Sequence, residues 1–323
     1  MPIISRSSYK PPLLLRNGDV QTLYPTLARR LSPGLYRRER IATQDNDFLD
    51  LDWARVGGDS LAVLSHGFEG SSHRPYMIGM ARMLNRRGWD ALAWNYRSCS
   101  GEINRTLRLY HSGAVDDLET VLRHSLASGR YRRIALIGFS LGGNLTLMYL
   151  GSMKNSLDVP VRSAVVFSTP CDLAAGARVL AKRRNCFYMR QFLVTLHRKI
   201  RLKMELLPGK IDDRGFGRIR SFKEFDDRYT APLHGFANAE DYWAKCSTTQ
   251  FIPRITVPTL IVNARNDPFL ADGCYPVQAA ERSDFVHLEM PRSGGHLGFV
   301  QFNHGGVYWS EQRAVEFLDP FPR

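Results

Sequence analysis

Short uninterrupted apolar runs alternate along this chain with longer stretches whose apolar residues recur every three or four positions. The first pattern is that of a strand buried on both faces, the second that of a helix with one buried side. Leu61–Ser65, Asp90–Trp94, Ile134–Ile137, Ala164–Phe167 and the runs from Thr259 and Phe285 read as strands. Tyr76–Arg87, Val115–Ala127, the run from Leu141 through Leu150, Tyr275–Glu281 and Ser310–Leu318 read as helices. Ahead of them, Arg40–Thr43 and Phe48–Ala54 read as an antiparallel hairpin. The alternation predicts a doubly wound α/β fold, with a mostly parallel central sheet and helices on both faces. It stops from Cys171 to about Ser247 and then resumes, so this stretch reads as a helical cap inserted into a single domain covering 1–323.

One strand-to-helix junction carries chemistry. Ile134-Ala-Leu-Ile-Gly138-Phe-Ser140-Leu141-Gly142-Gly143-Asn144 is an apolar strand, then Gly-x-Ser-x-Gly, then a helix. A serine on such a sharp turn is lifted above the sheet as a nucleophile, and glycines flank it because the turn leaves no room for β-carbons. A serine hydroxyl is a poor nucleophile near neutral pH, so it needs an imidazole as base and a carboxylate to hold that imidazole. Both occur downstream in the order this architecture uses. Asp267 follows the run Pro258–Asn263, and His296 lies in Arg292-Ser-Gly-Gly-His296 after the last strand.

Rivals for these roles read as structural. Asp272 opens Ala271-Asp272-Gly273 as an expected helix N-cap, and Asp172 follows the strand before the cap, from where an acid can also be supplied. His66 ends a strand and His111 precedes a helix, as structural or pocket-lining residues. Cys99, flanked by serines, lacks a base in sequence and reads as a small buried residue. For the oxyanion, the backbone N–H of Leu141 follows the nucleophile. A second N–H is expected from Phe68, in the His66-Gly67-Phe68-Glu69-Gly70 loop after an early strand.

These stretches, together with Pro12-Leu-Leu-Leu-Arg16-Asn17-Gly18-Asp-Val-Gln21-Thr22, Asn95-Tyr-Arg97-Ser98-Cys99-Ser100-Gly101-Glu102, Tyr110-His111-Ser112-Gly113, Ala231-Pro-Leu-His-Gly-Phe236, Asp267-Pro-Phe269 and Gly294-Gly-His-x-Gly-Phe299, run nearly end to end. In this combination the chain resembles the α/β-hydrolase branch that holds the bacterial YheT-like proteins and the eukaryotic monoacylglycerol-lipase-like hydrolases. Ser98 stands where that resemblance implies glycine. The resemblance implies hydrolysis of carboxylic esters, short-chain esters or monoacylglycerols among them, without settling the substrate.

Composition narrows the reading further. With 323 residues and 44% hydrophobic content, there is enough apolar material for a large core. No run approaches the roughly 18 apolar residues of a membrane span, and the first residues lack a signal-peptide pattern. Five scattered cysteines without metal-ligand spacing fit a reducing cytoplasm, with no metal and no cofactor expected. The net charge of +13 is uneven: residues 172–223 hold 14 Lys and Arg against 4 Asp and Glu. There Met189, Phe192, Leu193, Leu196 and Ile200 fall at helical spacing, with Arg190, Arg198, Lys199, Arg201 and Lys203 projecting elsewhere. This predicts a cap helix packed on the body with solvated charges, or one whose basic face meets anionic membrane from the cytoplasm. No nucleic-acid motif accompanies the charge. The chain is thus expected to be a serine ester hydrolase acting on a small-molecule or lipid ester. An acyltransferase and a non-catalytic ligand-binding relative are the alternatives, and the oligomeric state is not legible.

Overall fold

The strands whose sequences are apolar throughout form the middle of the sheet. The computed structural model describes residues 2–152 and 161–319. Among these residues one sheet is built from β1 (Ile3–Ile4), β2 (Arg37–Ala42), β3 (Phe48–Ala54), β4 (Ser60–Ser65), β5 (Asp90–Asn95), β6 (Arg133–Phe139), β7 (Val161–Phe167), β8 (Thr259–Val262) and β9 (Val286–Glu289). Its order is β1-β9-β8-β7-β6-β4-β5-β3-β2. Neighbours from β1 to β5 run parallel, whereas β3 is antiparallel to both β5 and β2. All of β4 and β5 is buried, as expected for strands covered on both faces.

The helices are α1 (Gly18–Ala28), α2 (Pro75–Arg86), α3 (Val115–Leu126), α4 (Leu141–Ser152), α5 (Leu173–Leu180), α6 (Cys186–Leu206), α7 (Phe222–Phe225), α8 (Ala231–His234), α9 (Ala239–Cys246), α10 (Val277–Glu281) and α11 (Trp309–Leu318). One face of the sheet packs on Leu118, Val121 and Leu122 of α3, Leu145 and Leu147 of α4, and Ala280 of α10. The opposite face packs on Met77, Met80 and Leu84 of α2 and on Ala314, Val315 and Leu318 of α11. In α2, α3 and α11 these are the one-sided apolar stripes read from the sequence, whereas α4 is buried almost all round. Burying the leucine, valine and methionine side chains among them stabilises the fold by about 1.5–3 kcal/mol each.

Between β7 and β8 the chain leaves the sheet and builds the helical cap from α5 to α9. Its own core joins Met189, Leu193, Leu196 and Ile200 of α6 to Phe216, Phe225 and Tyr229, and reaches the body through Leu109 and Phe269. The apolar stripe of α6 therefore faces inward. Its basic partners divide, and here the expectation of a uniformly solvated basic face is corrected. Lys203 is fully buried and donates to the carbonyls of Asn104 and Thr106; burial pushes its ammonium down to about 8. Lys199 is turned inward as well, while Arg190, Arg198 and Arg201 stay exposed. Lysine stems are long enough to carry the charge off the solvent face to a buried acceptor.

Two further elements were not anticipated. β1 pairs in parallel with β9 and extends the sheet beyond its last strand. The entry segment forms α1, which Asn17 caps by accepting from the N–H groups of Asp19 and Val20.

Candidate active site

Ser140 sits between the end of β6 and the start of α4 with φ at +53°, a left-handed conformation costly for a residue with a β-carbon. Its N–H donates to Phe167 O on β7 at 2.8 Å, which pins the turn to the neighbouring strand. The glycines are sterically required: a β-carbon at position 142 would lie 2.2 Å from Ser65 O, and one at position 138 would lie 2.4 Å from Gly142 O. The turn is tight because β4 and β7, the two sheet neighbours of β6, hold it on both sides.

The loop after β9 brings His296 to this serine. His296 Nε2 lies 2.9 Å from Ser140 Oγ, and its Nδ1 lies 2.9 and 3.1 Å from the two carboxylate oxygens of Asp267. Asp267 lies past the carboxyl end of β8 with a fully buried side chain, and it also accepts from Phe269 N–H at 2.9 Å. With a carboxylate at Nδ1, the tautomer that fits has the proton on Nδ1 and leaves Nε2 free to accept from the serine hydroxyl.

Much of what holds this loop was hidden in the sequence. Thr22 Oγ1 on α1 accepts from His296 N–H at 2.8 Å, and Ser168 Oγ accepts from Leu297 N–H at 3.0 Å. Asn266 Oδ1 accepts from Gly295 N–H at 3.0 Å, while its amide donates to Arg16 O at 2.9 Å. Gly295 has φ at +57°, and a β-carbon there would meet Gly18 O at 2.6 Å, so α1 and the histidine loop are in close contact. The Asn17–Thr22 motif thus acts as the floor of the histidine loop, a role that no local pattern reveals.

The loop after β4 passes beside the serine: a β-carbon on Gly67 would lie 3.3 Å from Ser140 Cβ. Gly67 N–H donates to the Tyr76 hydroxyl at 3.0 Å. The Phe68 ring packs against Phe192 and Phe222 of the cap, with centroids 5.4 and 5.3 Å apart. Phe68, Ser140, Leu141 and His296 all line one cavity of about 600 Å³, whose remaining wall is mainly apolar and includes Leu23, Leu173, Leu180, Phe222 and Leu270.

The rivals fall elsewhere. Asp172 caps α5 by accepting from Ala175 N–H at 2.9 Å. Asp272 is exposed at the first position of a short 3₁₀ turn and does not provide the side-chain cap expected of it; Pro276 delays the helix to Val277. His66 is buried between Gly67 O at 2.8 Å and Tyr96 N–H at 3.2 Å, and burial pushes its imidazole down to about 3. His111, likewise lowered to about 3 by burial, packs against His234 with the two rings tilted and accepts from Gly113 N–H. Cys99 is buried, which pushes its thiol up to about 11, away from the thiolate form that a cysteine nucleophile uses. Ser98 adopts φ of +63°, so the turn keeps a glycine-like backbone despite the serine.

Comparison with known proteins agrees with this architecture. The model of the alpha/beta hydrolase fold family matches residues 63–302. The chain is 33% identical to the Escherichia coli K12 protein named "Putative esterase YheT" over 98% of its own length and 94% of that protein's. It is 26% identical to human phospholipase ABHD3, covering 93% of this chain and 75% of the relative. Among solved structures, the Pyrococcus furiosus esterase Pf2001 superposes with a TM-score of 0.60 at 18% identity, over 90% of this chain and 96% of that one, a likeness of fold. From these matches, and from a mostly parallel sheet interrupted by a helical cap, the chain belongs to the α/β-hydrolase-fold family, in its YheT-like, esterase-related part.

Proposed function

We propose that the chain is a serine hydrolase that cleaves carboxylic esters through an acyl-enzyme, with Ser140 as nucleophile, His296 as base and Asp267 as its orienting carboxylate. The observation that carries this reading is His296 bridging Ser140 Oγ and Asp267 at 2.9 Å on either side, in the wall of an apolar cavity. Ser140 Oγ attacks the ester carbonyl as His296 Nε2 takes its proton. The tetrahedral oxyanion is received by the N–H groups of Phe68 and Leu141. Collapse expels the alcohol, which His296 protonates. Water, deprotonated by the same imidazole, then releases the acid. Each oxyanion donor is expected to contribute on the order of 10²–10³ in rate.

The cavity wall favours an uncharged acyl chain, and a volume of about 600 Å³ lies within the range of small-molecule sites. Short-chain esters and monoacylglycerol-like lipids suit it. The test is turnover of a p-nitrophenyl ester series and of monoacylglycerols, with a primary alcohol present to reveal acyl transfer. Hydrolysis across the series supports the reading; failure of every ester, or dominant transfer to the alcohol, overturns it.

A lipid surface is the second part of the proposal. On the outer face of α6, exposed Phe187 and Val194 alternate with Arg190, Arg198 and Arg201, and Phe187 also lines the cavity. No helix among the described residues is long and apolar enough to cross a membrane, so contact would be in the plane of the surface. Reversing these three arginines to glutamate is expected to abolish salt-sensitive binding to anionic vesicles while sparing hydrolysis of a soluble ester. Unchanged vesicle binding would remove this part of the proposal.

A further inference from the structure

Glu69 follows Phe68 in the loop beside Ser140 and is held at φ of +53°, a conformation that a residue with a β-carbon keeps only when its surroundings impose it. The surroundings are on hand at each of its polar groups. Its N–H donates to the Tyr110 hydroxyl at 2.9 Å, and its carbonyl accepts from Arg74 at 3.0 Å. Its carboxylate accepts from the Tyr110 hydroxyl at 2.6 Å and from Lys199 Nζ at 2.6 Å. The side chains of Glu69 and Lys199 are only 6% and 13% exposed. Lys199 Nζ also donates to Cys99 Sγ at 3.1 Å and lies 4.9 Å from the centroid of the Tyr110 ring.

Of these partners, Lys199 alone comes from the cap; Tyr110, Arg74 and Cys99 belong to the body. The apolar contacts of Phe68 with Phe192 and Phe222 hold cap and loop together but are tolerant of direction. A buried ion pair is not tolerant, because displacement leaves a largely buried charge without its counter-ion. We propose that Lys199 is a positioning residue: its ion pair with Glu69 fixes the turn that presents the Phe68 N–H to the oxyanion, and ties that turn to the seated cap helix. The inference rests on the reading of Ser140 as nucleophile and Phe68 as oxyanion donor.

The experiment compares Lys199→Met, Lys199→Arg, the double variant Glu69→Gln/Lys199→Met and the exposed control Arg198→Met, using a soluble p-nitrophenyl ester. An organophosphonate titrates the active sites, so that kcat is expressed per labelled Ser140. Loss of a well-aimed oxyanion donor predicts a fall in kcat on the order of 10–100-fold for Lys199→Met, with KM changed by less than about threefold. Lys199→Arg keeps the charge and is expected to restore most of kcat. The double variant removes both charges, so its melting temperature is expected to return toward wild type while kcat stays low. A purely structural pair would recover both together, and that result overturns the proposal. So does a per-site kcat for Lys199→Met within twofold of wild type, or an equal loss in Arg198→Met. If Lys199→Met fails to fold, the double variant carries the test, since it leaves no buried charge unpaired. Labelling at a residue other than Ser140 would strike the hydrolase reading itself, whereas labelled Ser140 with fully active Lys199→Met strikes only the positioning role.

Discussion

On the proposed triad, Ser140→Ala is expected to lower kcat by 10⁴-fold or more on any ester the protein cleaves, a loss of about 5.5 kcal/mol in transition-state stabilisation. The size follows from what is removed. Without Oγ there is no covalent intermediate, and His296 has no proton to accept in the first step. What remains is the cavity and the oxyanion donors acting on bound water. The same substitution removes one hydroxyl from a turn whose backbone is held by Phe167 O, Gly143 N–H and Asn144 N–H, so the melting temperature is expected to stay within a few degrees of wild type. Thermal melting and steady-state kinetics on the same preparation check both halves. A variant that keeps more than about one part in a hundred of the wild-type rate would remove Ser140 from the reaction.

Asp267→Asn is expected to cost nearly as much, on the order of 10⁴-fold in kcat, although it changes one atom type. The asparagine oxygen can keep the bond from Phe269 N–H, which places its amide nitrogen where the carboxylate now meets His296 Nδ1. Two donors would then face each other unless the imidazole shifts its proton to Nε2. That tautomer cannot accept from Ser140 Oγ. Combining Asp267→Asn with Ser140→Ala is expected to add little to the loss from Ser140→Ala alone, because residues acting as one unit are not additive. Additive losses in the double variant would show that the two residues do not work on the same step.

The parts of this architecture that were legible in the sequence are those whose signal is local. β4, β6 and β7 are apolar because both faces are covered, so they stand out without reference to any partner. Ser140 stands out because its turn demands glycine on both sides, and Asp267 and His296 stand out by their place after two late strands. The structure brings these three side chains together. What was illegible is decided by distant contacts. β1 is two residues long, and α1 begins at a glycine and contains Pro25, so neither shows a clear period. Their importance comes from β9 and from the histidine loop, which the local sequence does not mention. Lys199 and Lys203 look like surface charges in any helical projection, because a projection shows where a stem starts and not where a flexible chain of methylenes delivers its charge. Asp272 looks like a helix cap until Pro276 is seen to postpone the helix.

The docking of α1 beneath the histidine loop has a consequence in time. Thr22 and His296 are 274 positions apart, and the Tyr9 hydroxyl donates to the carbonyl of Val300 at 3.0 Å across 291 positions. At about 5–20 residues per second of ribosomal synthesis, the α1 segment is exposed for roughly 15–60 seconds before the loop it supports exists. In that interval the segments of the serine turn, the sheet centre and the cap are synthesised, and His296 comes only at its end. On the proposed assignment, a nascent chain would therefore hold its serine before its base, and hydrolysis would have to wait until the last strand and its loop reach the first helix.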